Sequence, residues 1–173
     1  VVEAAYAGQV LVKVENTAKQ KPVRLKTGKG LNFPLRAPMG PAVTAKDQQD
    51  LNIILPLTDL IGLSWVKTAD DISALQAELA NRLGERACRL PLVAKIETAE
   101  AVSRLPEIIV RAASRQPVAL MIARGDLALE VGYERLAELQ EEVLWISEAA
   151  HVPVIWATQV LENLVKYGAP SRA

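Results

Sequence analysis

Three short segments carry side chains that can handle a charged substrate: Ala94-Lys95-Ile96-Glu97-Thr98, Ile122-Ala123-Arg124-Gly125-Asp126-Leu127 and Trp156-Ala157-Thr158-Gln159. Lys95 and Glu97 lie two apart on an apolar, strand-like run, so both side chains leave on one side and Ile96 turns to the other. An ammonium beside two hard oxygen ligands, Glu97 and Asp126, suits Mg²⁺ or Mn²⁺ held by few protein contacts, with positions left for substrate oxygens and water. Such an ion calls for an anionic substrate. Gly125 lets the backbone approach closely, and the amides of Gly125 and Asp126 would face that substrate if a helix starts there. Thr158 adds a hydroxyl.

Each segment also has a plain reading. A lysine and a glutamate two apart on a strand usually form a weak solvated pair. Arg-Gly-Asp is often only a turn, and a threonine in the place of Thr158 ordinarily caps a helix. The weight lies in the order of the set, with each member placed where a parallel α/β protein puts its chemistry, at the carboxyl end of a strand.

The elements that must position these residues read as repeated strand and helix units. Thr44 with Asp47 starts a helix running towards Leu55, and Leu60–Val66 is a buried strand. Asp70 is expected to cap the next helix, whose Ile72, Leu75, Leu79 and Leu83 share a face before Gly84 stops it. Leu90–Ile96 is a second strand, followed by a helix from Thr98 to Ala113 that Pro106 should break or restart. Val118–Ala123 is the third strand. A longer helix with Leu136, Leu139, Val143 and Ile146 on its buried stripe precedes the fourth strand, Val152–Ala157, and a further helix begins near Gln159.

Strands separated by helices at intervals of roughly 30 residues imply parallel pairing through right-handed crossovers. The fold is therefore α/β. Four units suit either part of an eight-stranded barrel or a small open sheet. Upstream, Val10, Val12 and Val14 alternate with Leu11, Lys13 and Glu15, and a second run at Val23–Lys26 suggests a hairpin-like unit. The Pro/Gly-rich stretch from Pro34 to Pro41 reads as a connector, giving residues 1–34 and 35–173 as the two expected domains.

Composition narrows the classes further. The chain has 173 residues, 50% hydrophobic and 23% charged, which is globular rather than disordered. Twenty basic residues balance twenty acidic ones, so no global field favours nucleic acid or an anionic membrane. Apolar runs such as Leu51–Leu57 fall far short of the ~20 residues of a membrane span. One cysteine, Cys88, fits a reducing, cytoplasmic setting and is expected to be filler. His151 and Trp65, Trp145 and Trp156 are expected to be structural or packing residues, and the Lys/Arg scatter from Lys13 to Lys29 a solvated face. The start at Val1 and the end at Ala173 suggest a piece of a longer protein.

The ordered segments resemble pyruvate kinase. Lys29-Gly30-Leu31-Asn32-Phe33-Pro34 is similar to the family's exit from its inserted β-domain, and Thr44 to Leu51 to the helix that follows. Leu63 to Lys67 with Asp71-Ile72, Ala94 to Thr98, Met121 to Glu130, Val152 to Glu162 and Pro170 to Ala173 then resemble later segments in the family's order. The resemblance implies part of a (β/α)8 TIM barrel of the phosphoenolpyruvate/pyruvate type, with a short β-hairpin segment from the inserted β-domain. It implies phosphoryl transfer from phosphoenolpyruvate to ADP, giving pyruvate and ATP in the last step of glycolysis, with Mg²⁺ (or Mn²⁺) and with K⁺ bound outside this chain. By position, Lys95 would neutralise the moving phosphoryl group and the enolate oxygen. Glu97 and Asp126 would bind the metal. Gly125, Asp126 and Thr158 would contact the substrate carboxylate, Thr158 also lying near the route of the proton to the enolate carbon. Cytoplasm stays the default expectation, and the resemblance implies a homo-oligomer, a tetramer.

Leu35, Ala45, Lys67, Thr98 and Ala128 depart from residues common in the family, while Lys95, Glu97, Asp126 and Thr158 do not. With the early barrel strands, the last strand and most of the inserted domain outside this sequence, the isolated chain is expected to be inactive, since half a barrel leaves open edges and half a site. Two rival readings are a metal-dependent pyruvate-handling lyase on the same barrel, and a divergent non-catalytic sensor that keeps the phosphoenolpyruvate and metal pocket without transfer.

Overall fold

The computed structural model describes residues 2–13, 27, 40–158 and 160–168. The chain divides into two compact units, Val1–Phe33 and Pro34–Ala173.

In the first unit, β1 (Val2–Tyr6) pairs antiparallel with β2 (Gln9–Val12), in the register Tyr6↔Gln9 and Ala5↔Val10. Gly8, at φ +77°, makes the tight turn between them, a conformation that glycine enters without a Cβ penalty. The hairpin expected from Val10 to Lys26 is thus corrected in one half: the described partner of the Val10–Val12 run lies upstream. Val14 and Val23–Lys26 lie outside the described residues.

In the second unit, α1 (Ala45–Ile54) leads into β3 (Ile61–Val66) and α2 (Ala69–Leu83), then β4 (Leu92–Ile96), α3 (Ala99–Ser103) and α4 (Leu105–Ala113). It continues through β5 (Val118–Ala123), α5 (Arg124–Val131), α6 (Tyr133–Ala149), β6 (Val154–Ala157) and α7 (Glu162–Tyr167). The four strands are parallel and lie side by side in chain order, β3-β4-β5-β6. This order decides between the two expected sheets. A doubly wound sheet reverses its strand order at a switch point, whereas sequential neighbours joined by right-handed crossovers keep their helices on one face, as in an arc of a barrel.

Threonines start three of the helices. Thr44 and Asp47 form a reciprocal capping box on α1, and Thr68 with Asp71 forms another on α2, so the expected cap Asp70 sits inside the first turn instead. Thr98 caps α3 through a 3.1 Å bond from the Ala101 amide. At Asp47, hydrogen bonds from the Thr44 side chain and backbone hold the carboxyl below its ordinary value. Gly84 ends α2 at φ +56°, and Pro106 opens α4 after a break at Arg104.

The core lies between the sheet and these helices. Ile72, Leu75 and Leu79 of α2 and Leu105, Ile108 and Ile109 of α4 are buried against Leu92, Ile96, Leu120 and Ile122 of the central strands. Each such side chain contributes about 1.5–3 kcal/mol. Leu139 and Val143 of α6 join them. Trp145, by contrast, is 69% exposed, which corrects its expected packing role: it lies on the solvent side of α6. No described helix is long and apolar enough to cross a membrane.

Candidate active site

The strand register brings the carboxyl ends level. Val66 pairs with Ile96, Ile96 with Ile122, and Ile122 with Trp156, so these four form one row across the sheet. Val66, Ile96 and Ile122 are fully buried on the helical side. Lys95 and Met121 occupy the row before and alternate to the opposite face, which in a barrel is the interior.

Glu97 follows immediately, one residue past β4. Its carboxylate is 1% exposed and accepts on both oxygens: Lys95 Nζ lies 2.7 Å from Oε1, and the backbone N–H of Trp65 donates to Oε2 at 2.5 Å. The second contact depends on a local irregularity. The register between β3 and β4 shifts between Leu63 and Val66, and Trp65 adopts φ +57°, which turns its amide towards the neighbouring strand. A non-glycine residue in this conformation is strained, and such strain persists where surrounding contacts over-determine it. Lys95 Nζ also donates to Ser64 Oγ at 3.0 Å. A buried carboxylate is therefore neutralised by a half-buried ammonium that keeps one side open, with 29% of the lysine side chain accessible.

The second segment and the third meet at the next strand ends. Arg124, Gly125 and Asp126 form the first turn of α5, directly after β5, and no side chain caps this helix at Ala123. A Cβ built on Gly125 would stand 3.9 Å from Thr158 Oγ1, so the turn and the residue after β6 are in close approach. Thr158 is exposed and holds φ +62°. The Arg124 guanidinium lies 5.3 Å from the centre of the Trp156 ring, whose Nε1 donates to Gln140 Oε1 of α6 at 2.8 Å. Gln159 lies outside the described residues.

The structure thus brings Lys95 to Glu97 and Gly125 to Thr158 at the ends of neighbouring strands, with Asp126 next to Gly125 in the first turn of α5. Among the described residues no group of three or more His, Cys, Asp or Glu could hold a metal alone. Two carboxylates fit a Mg²⁺-type ion that keeps several positions for substrate and water, and fit poorly an ion needing an all-protein cage. A cleft of about 720 Å³ runs beside α1 and β3 and includes Ser64, Trp65 and Lys67 among its walls, but not Lys95 or Glu97.

Sequence reasoning missed Ser64, the Trp65 amide, Arg124 and Gln140. Ser64 and Trp65 had a usable signal, since they sit at a strand's carboxyl end beside Lys95. A backbone amide freed by a bulge leaves no trace in residue types. Of the departures, Thr98 keeps a capping side chain, and Lys67 donates its backbone N–H to Asp71 Oδ2 at 2.8 Å, a bond any residue but proline could make.

Comparison with known proteins adds the family. The family described as pyruvate kinase, barrel domain, matches residues 1–173. A pyruvate kinase of Mycobacterium intracellulare is 36% identical over 146 residues, 84% of this chain and 29% of that protein. One from Dictyostelium discoideum is 33% identical over 167 residues, 96% of this chain and 30% of that protein. One from Thermotoga maritima is 30% identical over 171 residues, 95% of this chain and 35% of that protein. The chain spans about a third of the length of these curated relatives. A family match over every residue, an arc of sequential parallel strands and relatives of this identity across most of the sequence make this chain a member of the pyruvate kinase family, within its barrel domain.

Proposed function

We propose that this barrel segment serves phosphoryl transfer from phosphoenolpyruvate to ADP, giving pyruvate and ATP, in a protein that completes the barrel. The observation that carries the reading is the contact of Lys95 with a fully buried Glu97 at the carboxyl end of a central parallel strand, where a charge pair is costly to keep without a use. In the transfer, the bond between phosphorus and the enol oxygen breaks and a bond to an ADP phosphate oxygen forms, and the enolate left behind takes a proton on carbon. Such a reaction needs positioning and charge compensation more than covalent help.

Lys95 is the residue that compensates charge on the moving phosphoryl group and the enolate oxygen, and Ser64 fixes its reach. Glu97 and Asp126 would hold Mg²⁺ or Mn²⁺, which supplies further positive charge to the phosphoryl and carboxylate oxygens when bound. The amides of Gly125 and Asp126, with Thr158, take the substrate carboxylate, and Thr158 lies near the path of the proton. K⁺, a cytoplasmic setting and a homo-tetramer belong to the same reading. So does the division into residues 1–34, from an inserted β-domain, and 35–173, from the barrel. Neither the lyase nor the sensor gains support from relatives that are all named pyruvate kinase.

The 173-residue chain alone has no turnover in this account, because the open arc leaves the face bearing Lys95 half-built. The test is a coupled assay with ADP on the protein with its barrel complete, beside Lys95→Met. Turnover that collapses in the variant supports the assignment, and near-normal turnover overturns it.

A further inference from the structure

On the helical side of the strand ends, three side chains that the transfer chemistry does not use hold one another. Trp156 stands in one row with Val66, Ile96 and Ile122, so its indole turns towards the helices, where Nε1 donates to Gln140 Oε1 of α6 at 2.8 Å. The Arg124 guanidinium lies 5.3 Å from the centre of that ring. Its Nε is buried without a hydrogen-bond partner, and the side chain forms no ion pair among the described residues. The face of the indole is therefore what seats this cation.

The arginine brings nothing to the helix it begins. A positive charge in the first turn opposes the helix dipole, and α5 starts at Ala123 without a side-chain cap. Its place in the chain matters more. Arg124 directly precedes Gly125 and Asp126, and its stacking partner stands two residues before Thr158. With the indole hydrogen-bonded to α6, the stack ties the start of α5 and the end of β6 to one helix. Those two ends approach closely, since a Cβ on Gly125 would stand 3.9 Å from Thr158 Oγ1. Thr158 also holds φ +62°, which a β-branched residue keeps only where its surroundings over-determine it.

We propose that Arg124 and Trp156 are positioning residues: their stack, pinned by Gln140, sets the gap between the Gly125 and Asp126 amides and the Thr158 hydroxyl, and through that gap the affinity for the substrate carboxylate. The proposal rests on the reading of those groups as carboxylate contacts. Neither side chain has to touch the substrate. Loss of either partner should loosen the same gap, so the two losses do not add.

The test uses the protein with its barrel complete, and measures phosphoenolpyruvate and ADP affinities by calorimetry in Mg²⁺ beside a coupled turnover assay. Arg124→Met and Trp156→Leu should each weaken phosphoenolpyruvate about tenfold, within the range a partly desolvated cation–π contact can transmit. The double variant should be no weaker than the singles, and ADP affinity should hold within about twofold. Trp156→Phe, which keeps a ring face for the guanidinium and loses only the bond to Gln140, should stay within about threefold of the parent. A purely structural role would instead lower the active fraction and leave both affinities unchanged. Unchanged phosphoenolpyruvate affinity in both single variants, losses that multiply in the double variant, or an equal loss for ADP overturns the positioning role. A parent that binds phosphoenolpyruvate without turnover overturns the transfer reading alone, since the affinities still decide this one; a parent that does not bind it overturns both.

Discussion

Lys95→Met is the most exacting perturbation, because the same side chain is asked to stabilise the resting protein and the reacting substrate. Two unit charges 2.7 Å apart, the separation of Lys95 Nζ from Glu97 Oε1, attract by about 6 kcal/mol at an effective dielectric constant of about 20. Desolvation of both groups takes back much of that, and breaking a buried pair by removing one partner costs about 3–5 kcal/mol, since the other charge is left stranded. Here the lysine side chain is 29% exposed, and the Trp65 amide still serves Oε2 of Glu97. Water entering beside the shorter methionine and that remaining bond place the expected loss at about 2–3 kcal/mol. A loss of that size lies below the ~5–15 kcal/mol of an ordinary domain, so the variant stays folded. Turnover should fall by about 10²–10³ or more, the scale of removing one preorganised electrostatic contact. The assay is urea unfolding followed by tryptophan fluorescence, on Lys95→Met, Glu97→Gln and the double variant. Removing both charges should cost clearly less than the two single changes added together. Additivity within about 0.5 kcal/mol would show that the pair does not interact, and the reasoning would fail.

Two smaller predictions concern single residues. Asp47 is held below its ordinary value of 3.8 by hydrogen bonds from Thr44, so its contribution is present above the unfolded-state value and lost as pH falls through the folded one. Asp47→Asn should cost about 0.5 kcal/mol at neutral pH, reduced by its exposure to solvent, and the gap to the parent should close on acidification in paired unfolding curves. Thr158 holds φ +62°, so Thr158→Gly should leave the unfolding free energy level or raise it by at most about 1 kcal/mol. Turnover of the protein with its barrel complete should nevertheless drop by about 10² in a steady-state assay if the Thr158 hydroxyl has the proposed role in proton delivery. Normal turnover there would remove Thr158 from the site.

The legible parts of the molecule were those written in periodicity and punctuation. The α2 stripe of Ile72, Leu75 and Leu79, the stop at Gly84 and the restart at Pro106 each follow from one local rule. Strand β4 was legible because every residue in it but Lys95 is apolar, on both faces, as a central parallel strand requires. The edge strand β6 shows the opposite case: Ile155 and Trp156 are exposed because no further described strand covers them, and residue types alone carry no such information. The choice between barrel arc and open sheet needed the observed strand order. In the site, Lys95 and Glu97 were found by spacing, whereas the bulge that turns the Trp65 amide onto Glu97 arises from tertiary pairing between β3 and β4. Thr68 was overlooked in favour of Asp70 because both are good caps, and only the backbone shows which of them stands outside the helix.

The central proposal is that Glu97 and Asp126 would hold one divalent ion that the substrate shares, with Lys95 supplying further positive charge. Its most direct test is a Mn²⁺ titration by electron paramagnetic resonance on the protein with its barrel complete, with and without phosphoenolpyruvate. The account predicts one ion bound more tightly when phosphoenolpyruvate is present, and loss of that ion in either Glu97→Gln or Asp126→Asn. Unchanged Mn²⁺ binding in both variants, or binding indifferent to phosphoenolpyruvate, would contradict it.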